Sequence, residues 1–301
     1  MKSVFVTIVG KPNAGKSTLL NSLLDKKIAI TTPKAQTTRN AILGIMNGED
    51  YQIVFVDTPG IHNPNTHLGT YMNKEAYNQA FGADIIYYLV DGNVGLRSDD
   101  KEILDKLFSY EVPIFLLVNK IDEISNDKLI QRLAYGENNY DFAEIIPISA
   151  KTKDNLHDLI NTTLSYLSDS ITYYPNDVVT VNSDEFMISE IIREKIILNT
   201  EQEIPHLTAV SIDTLKQTEK RITIEATITV NKNSHKGIII GKGGSMLKRI
   251  NDAASADIAK IYGKKCFLSL YVKVDEDWLN KDKKLFELGY FIEKWEIKLK
   301  P

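Results

Sequence analysis

The segment Gly10-Lys11-Pro12-Asn13-Ala14-Gly15-Lys16-Ser17 has the spacing G-x-x-x-x-G-K-S, and no other feature of the chain limits its fold so tightly. An apolar run, Val4–Val9, leads into it and a helical pattern, Lys16–Leu24, leads out. A glycine loop between a buried strand and a helix is built to wrap an anion. The glycines let the backbone turn tightly with its N–H groups pointing inward, and the helix N-terminus adds a favourable potential. Lys16 brings a point charge to the β- and γ-phosphates of a nucleotide. The Ser17 hydroxyl is of the type that ligates Mg²⁺, and Thr18 continues the phosphate-binding stretch.

The periodicity around the loop gives the fold class. Up to about residue 168, strand-length apolar runs cover Val4–Val9, Thr38–Met46, Tyr51–Asp57, Ile85–Val90, Ile114–Asn119 and Glu144–Ile148. Helical patterns fall between them, at Lys16–Leu24, Leu68–Ala80, Ser98–Ser109, Lys128–Tyr135 and Asn155–Leu167. Strands apolar on both faces and separated by helices predict an α/β domain with a mostly parallel sheet covered on both sides. Ligands of such sheets bind beyond the carboxyl ends of the strands.

Three further motifs fall at those ends. Asp57-Thr58-Pro59-Gly60 closes the third predicted strand. A carboxylate there can hold Mg²⁺ through a water, and the Gly60 N–H can sense a γ-phosphate. Asn119-Lys120-Ile121-Asp122 ends the fifth. Guanine presents N1–H and an exocyclic amino group, which one carboxylate, Asp122, can accept together. Adenine offers neither and would leave a desolvated carboxylate unpaired. Asn119 suits the base N7 and can tie neighbouring loops together, while the Lys120 stem can lie over the base plane. Ser149-Ala150-Lys151 follows the last strand, where backbone N–H groups can meet guanine O6. Singly, Asp-Thr-Pro-Gly is a good turn and Asn-Lys-Ile-Asp a solvated loop. Their order on one alternating framework carries the reading of GTP and GDP, with Mg²⁺, as ligands. Ile61 stands where Ras-like enzymes place a water-orienting glutamine. It cannot orient water, so slow intrinsic hydrolysis is expected, with the attacking water placed by backbone, by bound ions or by a partner.

From Ser168-Asp169-Ser170 to Tyr174-Pro175-Asn176-Asp177 the pattern breaks. This polar stretch predicts a linker at 171–180 between domains at 1–170 and 181–301. Beyond it come a helix, Glu185–Leu198, and alternating strands, Leu207–Asp213 and Arg221–Val230. A helix–glycine loop–helix over Lys236–Ile261, a strand over Phe267–Val274 and a helix from Trp278 follow. The order αββααβ predicts a smaller α+β domain. Inside it, Ile238 to Ile250 reads Ile-Gly-x-x-Gly-x-x-Leu-x-x-Ile and resembles the heart of a type II KH domain. Gly241 and Gly244 bring backbone close to a nucleic-acid backbone. Lys242 adds a charge-assisted phosphate contact, and Ile240, Gly243, Lys248 and Arg249 surround the loop. Ile238, Ile240, Leu247 and Ile250 are expected to form the core side and the apolar floor of the groove. The whole-chain charge of −4 gives no reason to expect nucleic acid. Between Lys232 and Lys265, however, eight basic residues face two acidic ones, Asp252 and Asp257.

Cys266 is the only cysteine, and the five histidines are scattered. A disulfide framework and a Cys/His metal site are excluded, which suits a reducing cytosol. Val4–Val9 is too short for a signal peptide, and no apolar run approaches the roughly 20 residues of a membrane span. The expected location is the cytoplasm.

The four motifs resemble, in this order, the first, third, fourth and fifth signature motifs of translation-factor-related GTPases. Asp-Thr-Pro-Gly and the neighbouring Gln36-Thr37-Thr38-Arg39 narrow the resemblance to the Era family. Phe186–Lys195 and Leu285–Tyr290 are also similar to Era segments, so the likeness spans essentially the whole chain. The resemblance implies that Gln36–Arg39 is switch I and Asp57–Ile61 switch II. Thr38, with Thr37 as the alternative, would complete a Mg²⁺ shell beside Ser17 and Asp57. It further implies a GTPase of small-subunit assembly, a monomer that holds the single-stranded 3′ end of small-subunit ribosomal RNA on the 30S subunit. Peripheral association with the inner face of the cell membrane is implied as well. A small-molecule kinase would leave Asn119–Asp122 and the KH-like half unexplained. An RNA chaperone with structural nucleotide would show RNA binding without turnover, and a different ribosome-associated GTPase is a further alternative.

The guanine reading makes a direct prediction. Asp122→Asn should weaken GTP and GDP and admit xanthine nucleotides, because an amide can donate to the extra carbonyl of xanthine but cannot accept twice. Nucleotide titration checks this: an unchanged preference for guanine would remove Asp122 from the base site.

Overall fold

Six strands built from Val, Ile, Leu and Phe make the first sheet. They are β1 (Lys2–Val9), β2 (Ile42–Asn47), β3 (Tyr51–Asp57), β4 (Ile85–Asp91), β5 (Ile114–Asn119) and β6 (Glu144–Pro147). Their order is β2-β3-β1-β4-β5-β6. Only β2 runs antiparallel to its neighbour; the other pairs are parallel. Every residue of β5 is buried, as two covered faces require. Between the strands lie α1 (Lys16–Leu24), α2 (His67–Phe81), α3 (Lys101–Phe108), α4 (Asn126–Asn139) and α5 (Leu156–Ser165). From β1 the chain departs first to β3 on one side and later to β4 on the other. The carboxyl end of β1 is therefore a topological switch point, where the sheet opens a crevice.

This computed structural model describes residues 2–34, 36–167, 171–201 and 203–290. The chain divides into two units, Met1–Asn63 with Met72–Asn182, and Pro64–Tyr71 with Ser183–Pro301. The Ser168–Ser170 start of the expected linker, and any helix beyond Tyr290, lie outside the described residues.

In the second unit, α6 (Asp184–Asn199), β7 (Thr208–Gln217), β8 (Arg221–Val230), α7 (Asn233–Ile240), α8 (Ser245–Tyr262) and β9 (Lys265–Val274) follow the expected αββααβ order. The sheet runs β7-β8-β9, with β8 and β9 parallel. One face of it packs on the helices around Ile192, Ile224, Ile228, Ile239, Ile250 and Ile258. After β9 the chain makes a single 3₁₀ turn, Trp278–Asn280, and a short helix, α9 (Asp282–Glu287), rather than one helix from Trp278. The reason is the Trp278 indole. It is fully buried, donates to Leu207 O (3.2 Å) and stacks with Tyr290, so it anchors a turn instead of opening a helix.

β2 begins at Ile42, not at Thr38. The Thr38 hydroxyl turns instead toward Ser17 and Asp57, which takes this stretch out of the ladder. Most of the expected linker is fixed within the first unit. Ile45 N–H donates to Val179 O (2.8 Å), Leu43 N–H to Asn182 Oδ1 (3.1 Å) and the Thr180 hydroxyl to Leu43 O (2.6 Å). Upstream, buried Gln52 accepts from the backbone N–H groups of Tyr173 and Tyr174 at 3.0 Å each. Its own amide donates to Tyr174 O (2.9 Å). The Tyr173 ring packs on Phe5 at 4.7 Å. Residues 173–182 thus lie as a strap along β2.

Gln52→Leu keeps the volume but orphans the two tyrosine N–H groups, at a cost of about 2–4 kcal/mol. Denaturant unfolding should report that loss, and limited proteolysis should become faster within residues 171–182. Unchanged cleavage there would mean that the strap is held by its other contacts alone.

Candidate nucleotide and nucleic-acid sites

The loop Gly10–Ser17 leaves β1 at the switch point and enters α1 through Gly15, whose φ of 100° suits glycine. Neither loop glycine tolerates a side chain. A Cβ on Gly10 would meet Leu89 O at 2.4 Å, and one on Gly15 would meet Asn119 Nδ2 at 2.3 Å. Pro12 touches Gly60, where a Cβ would lie 2.8 Å from Pro12 N. Asn13 has a positive φ of 64° and is exposed, while Ala14 is buried. Lys16 Nζ donates to Gly10 O and Lys11 O, both at 3.0 Å, so its ammonium lies across the loop. Around the loop is an open cleft of about 430 Å³ whose lining includes Ser17, Thr18, Gln36, Thr37, Thr38 and Gly60.

At one end of the cleft three oxygens converge. Ser17 Oγ donates to Asp57 Oδ2 (2.6 Å), and Thr38 Oγ1 lies 2.8 Å from Ser17 Oγ and 3.3 Å from Asp57 Oδ2. Thr37 is engaged elsewhere: its hydroxyl meets Thr32 Oγ1 (2.7 Å) and Lys34 O (2.8 Å). Gln36 has a positive φ of 57° and Arg39 is buried. Asp57 is fully buried, and its Oδ1 has no hydrogen-bond partner. Burial pushes the Asp57 carboxyl up to about 6, against the Lys16 charge and the hydroxyls of Ser17 and Thr38. Burial likewise draws the Lys16 ammonium down to about 8, opposed by Asp57. Thr58 binds Ile8 O through its hydroxyl (2.8 Å), and Pro59 is buried beside it. Ile61 joins the core cluster with Val9, Ala76 and Tyr88. Its side chain is therefore spent on packing.

The second cluster lies at the carboxyl ends of β5 and β6. Asn119 ties three segments: its Nδ2 donates to Ala14 O (2.8 Å) and its Oδ1 accepts from Ala150 N–H (2.9 Å). Ser149 Oγ donates to Asp122 Oδ1 (2.7 Å), which orients an otherwise exposed carboxylate. Lys151 is exposed at the rim. Lys120, in the left-handed region at φ 64°, holds Asp91 Oδ2 at 2.6 Å. Sequence reasoning missed Asp91; an acidic residue closing the buried strand β4 was the available signal. It also missed the setting of Lys11, whose ammonium is 2.6 Å from Asp99 Oδ1 and 2.9 Å from Asp100 Oδ2. Asp100 is itself buried and accepts from the Tyr88 hydroxyl (2.5 Å).

In the second unit α7 ends at Gly241 and α8 begins after Gly244. Gly241, Gly243 and Gly244 have φ of 71°, 59° and 79°. A Cβ on Gly241 would strike Met246 N at 2.8 Å, so this turn requires glycine, whereas Gly243 and Gly244 face open space. Lys242, Lys248 and Arg249 are exposed around it. Beside the loop is an open groove of about 490 Å³ lined by Gly244, Leu247, Lys248, Asn251, Asp252 and Leu270. Asn251 Nδ2 donates to Leu268 O (2.8 Å), which locks α8 to β9. Ile250 fills the core as expected, but Ile239 does so in place of Ile238, which is 48% exposed; Ile240 is half-buried.

A magnesium nucleotide held by Asp57 and Lys16 would need the carboxyl ionised and the ammonium protonated. Below pH about 6, Asp57 must shed a proton to bind; above about 8, Lys16 must gain one. Affinity for magnesium GDP is therefore expected to be flat between these values. It should fall on both sides by up to about tenfold per pH unit. Titration with a fluorescent GDP analogue from acid to alkaline pH checks this, and affinity that holds down to the usual carboxylate range would contradict the raised Asp57.

Residues 5–120 match the family described as 50S ribosome-binding GTPase, and residues 203–279 match the KH domain family. The GTPase Era of Clostridium kluyveri is 46% identical over 291 residues, covering 96% of this chain and 99% of that one. The GTPase Era of Clostridium acetobutylicum is also 46% identical, over 96% of this chain and 98% of its own. Among solved structures, Era in complex with MgGDPNP and nucleotides 1506–1542 of 16S ribosomal RNA superposes with a TM-score of 0.93 at 36% identity. It covers 97% of this chain and 100% of its own. A variant of Aquifex aeolicus Era bound to GDP.AlF4⁻ matches with the same score, identity and coverage. With near-complete coverage at this identity, and with both halves matched in order, the chain belongs to the Era family of GTPases.

Proposed function

We propose that this protein is a GTP-hydrolysing switch that binds the 3′ end of small-subunit ribosomal RNA and assists assembly of the 30S subunit. The observation that carries the reading is the convergence of Ser17, Thr38 and Asp57 on one edge of the phosphate loop. The segment before β2 and the segment after β3 meet there, so a γ-phosphate and its cation would hold both. The residues fit Mg²⁺. Two hydroxyls and one carboxylate form a hard oxygen set, and the unpartnered Asp57 Oδ1 is free to accept from a metal-bound water. When bound, the ion would neutralise charge building on the phosphates. Lys16 would bind the β- and γ-phosphates, and Asp122, held by Ser149, would accept from guanine. We take Thr38 rather than Thr37 for the metal, because Thr37 serves Thr32 and Lys34.

With Ile61 packed in the core, no side chain at that position orients the attacking water. Slow basal turnover and acceleration by a bound partner belong to this reading. The groove beside Gly241–Gly244 would hold single-stranded RNA, its phosphates against the loop backbone and Lys242. The related Era crystallised with 16S ribosomal RNA supports that assignment. Residues 1–170 and 181–301 would then be the GTPase and RNA-binding domains, joined through 171–180. We place the protein in the cytoplasm, with peripheral contact at the inner face of the membrane as part of the same reading. Among the described residues no helix is long and apolar enough to cross a membrane.

Replacing Lys242 and Gly243 together by aspartate tests the link between the two activities. Aspartate tolerates the left-handed φ of 59° at Gly243, and open space surrounds it, so folding should survive. RNA binding should be lost, because two carboxylates at the loop repel phosphates at short range. GTP turnover without RNA should be unchanged, and RNA that stimulates the parent should not stimulate the variant. RNA affinity equal to the parent's would sink the groove assignment.

A further inference from the structure

Asp91 closes β4 behind a buried run, Ile85–Val90. The parallel register sets it directly beside Asn119 at the end of β5. Backbone groups hold the residue in place. Its Oδ1 accepts from Asn93 N–H (2.8 Å), and its carbonyl oxygen accepts from Val94 N–H (2.9 Å) and Gly95 N–H (2.7 Å). Gly92 N–H donates to Asn119 O (2.7 Å), and a Cβ on Gly92 would lie 2.9 Å from that oxygen. Asn93 Nδ2 reaches Glu123 Oε2 (3.1 Å). The start of the β4–α3 loop is thus fixed against β5 and the turn that follows β5. The remaining carboxylate oxygen, Oδ2, takes the Lys120 ammonium at 2.6 Å.

Stability does not explain this pair. The Lys120 and Asp91 side chains are 29% and 20% exposed, and an ion pair with that much access to water adds little to folding. Lys120 also holds a φ of 64° and a ψ of 39°, in the left-handed region that strains a residue with a Cβ. The direction of its stem supplies a reason. The strands run β1-β4-β5, with the Gly10–Ser17 loop after β1 and Asn119–Asp122 after β5. A nucleotide with its phosphates at the first and its base at the second must cross the end of β4. The Lys120 stem crosses the same end of the sheet, from β5 to Asp91 on β4, over one strand spacing of about 4.8 Å. Four methylenes stretched along that line offer an apolar flank to a ring, with the charge tied off at the far end.

We propose that Asp91 is a positioning residue for the guanine nucleotide: it stretches the Lys120 side chain across the end of β4 before the nucleotide arrives, so that the stem is already placed against the face of the base. This rests on the reading of Asn119–Asp122 as the guanine site and adds to it a residue outside that motif. The rotamer freedom of the lysine is then lost on folding rather than on binding.

A double-mutant cycle on the full-length protein tests it: parent, Asp91→Asn, Lys120→Met and the two together, with affinity and dissociation rate read on a fluorescent GDP analogue. Asparagine still accepts from Asn93 N–H, so the turn should persist, and thermal melting checks that it does. Methionine keeps an unbranched stem without the ammonium. Asp91→Asn alone should weaken GDP about three- to tenfold, mainly through faster dissociation. In the Lys120→Met protein it should weaken GDP no further, because no ammonium is left to place. The ratio of GDP to xanthosine diphosphate affinity should stay that of the parent, since Asp122 reads the edge of the base and the stem covers its face. Binding by Asp91→Asn that equals or exceeds the parent's overturns the proposal. The same loss in both backgrounds also overturns it, because Asp91 would then act through its turn alone. The guanine reading fails separately, if Asp122→Asn leaves the preference for guanine intact.

Discussion

A carboxylate with no exposure to water sits at the end of β3, and it would be an expensive thing to ionise alone. Asp57 is kept from that fate by the Ser17 and Thr38 hydroxyls and by the Lys16 ammonium across the loop. Each of those partners comes from a different stretch of chain, so the carboxylate fixes where three segments end. The phosphate loop is held from below by Leu89 and from the side by Asn119, through glycines that leave no room for a side chain. The loops after β5 and β6 depend on the same Asn119, which touches Ala14 and Ala150 at once. The Gly10–Ser17 loop, the Ser17–Thr38–Asp57 cluster and the loops after β5 and β6 are thus one hydrogen-bonded body, and a disturbance at any of them reaches the others within a few bonds.

Much of this was legible beforehand because the relevant residues are local. Gly10–Ser17, Asp57–Gly60 and Asn119–Asp122 each carry their chemistry in a few consecutive positions, and buried parallel strands read as unbroken apolar runs. Most of what the sequence hides is long-range. Asp91 under Lys120, and the pair Asp99 and Asp100 around Lys11, depend on which loops the sheet order brings together. The sequence extends β2 back to Thr38 because Thr38 and Arg39 suit a strand by propensity, whereas a tertiary bond to Asp57 takes Thr38 out of it. In the second unit, Ile238, Ile239 and Ile240 are the same residue three times over. Only the helix phase decides that Ile239 faces inward. Trp278 misled for a similar reason: its ring is wanted beneath Leu207, so the chain turns there.

The two halves use glycine for different ends. In the phosphate loop, Gly10 and Gly15 are required by crowding, since a methyl group would collide with backbone or a fixed amide. In the Gly-x-x-Gly turn only Gly241 is crowded. Gly243 and Gly244 are required by conformation alone, with open space where a side chain would stand. The first loop is fixed on two sides by Leu89 and Asn119. The second stands in open space on the side of Gly243 and Gly244.

β2 is the last strand on its side of the first sheet, and a bare edge invites other strands to pair with it. The strap from Tyr173 to Asn182 occupies that edge. The first unit accordingly takes in this strap as far as Asn182. A fragment cut at the polar break near residue 170 would carry the Gly10–Ser17 loop and the loops after β3, β5 and β6 and still present an unpaired row of N–H and C=O groups. Such a fragment would tend to join edge to edge with copies of itself. The stretch that looks like a tether in the sequence is thus the cover of an edge strand.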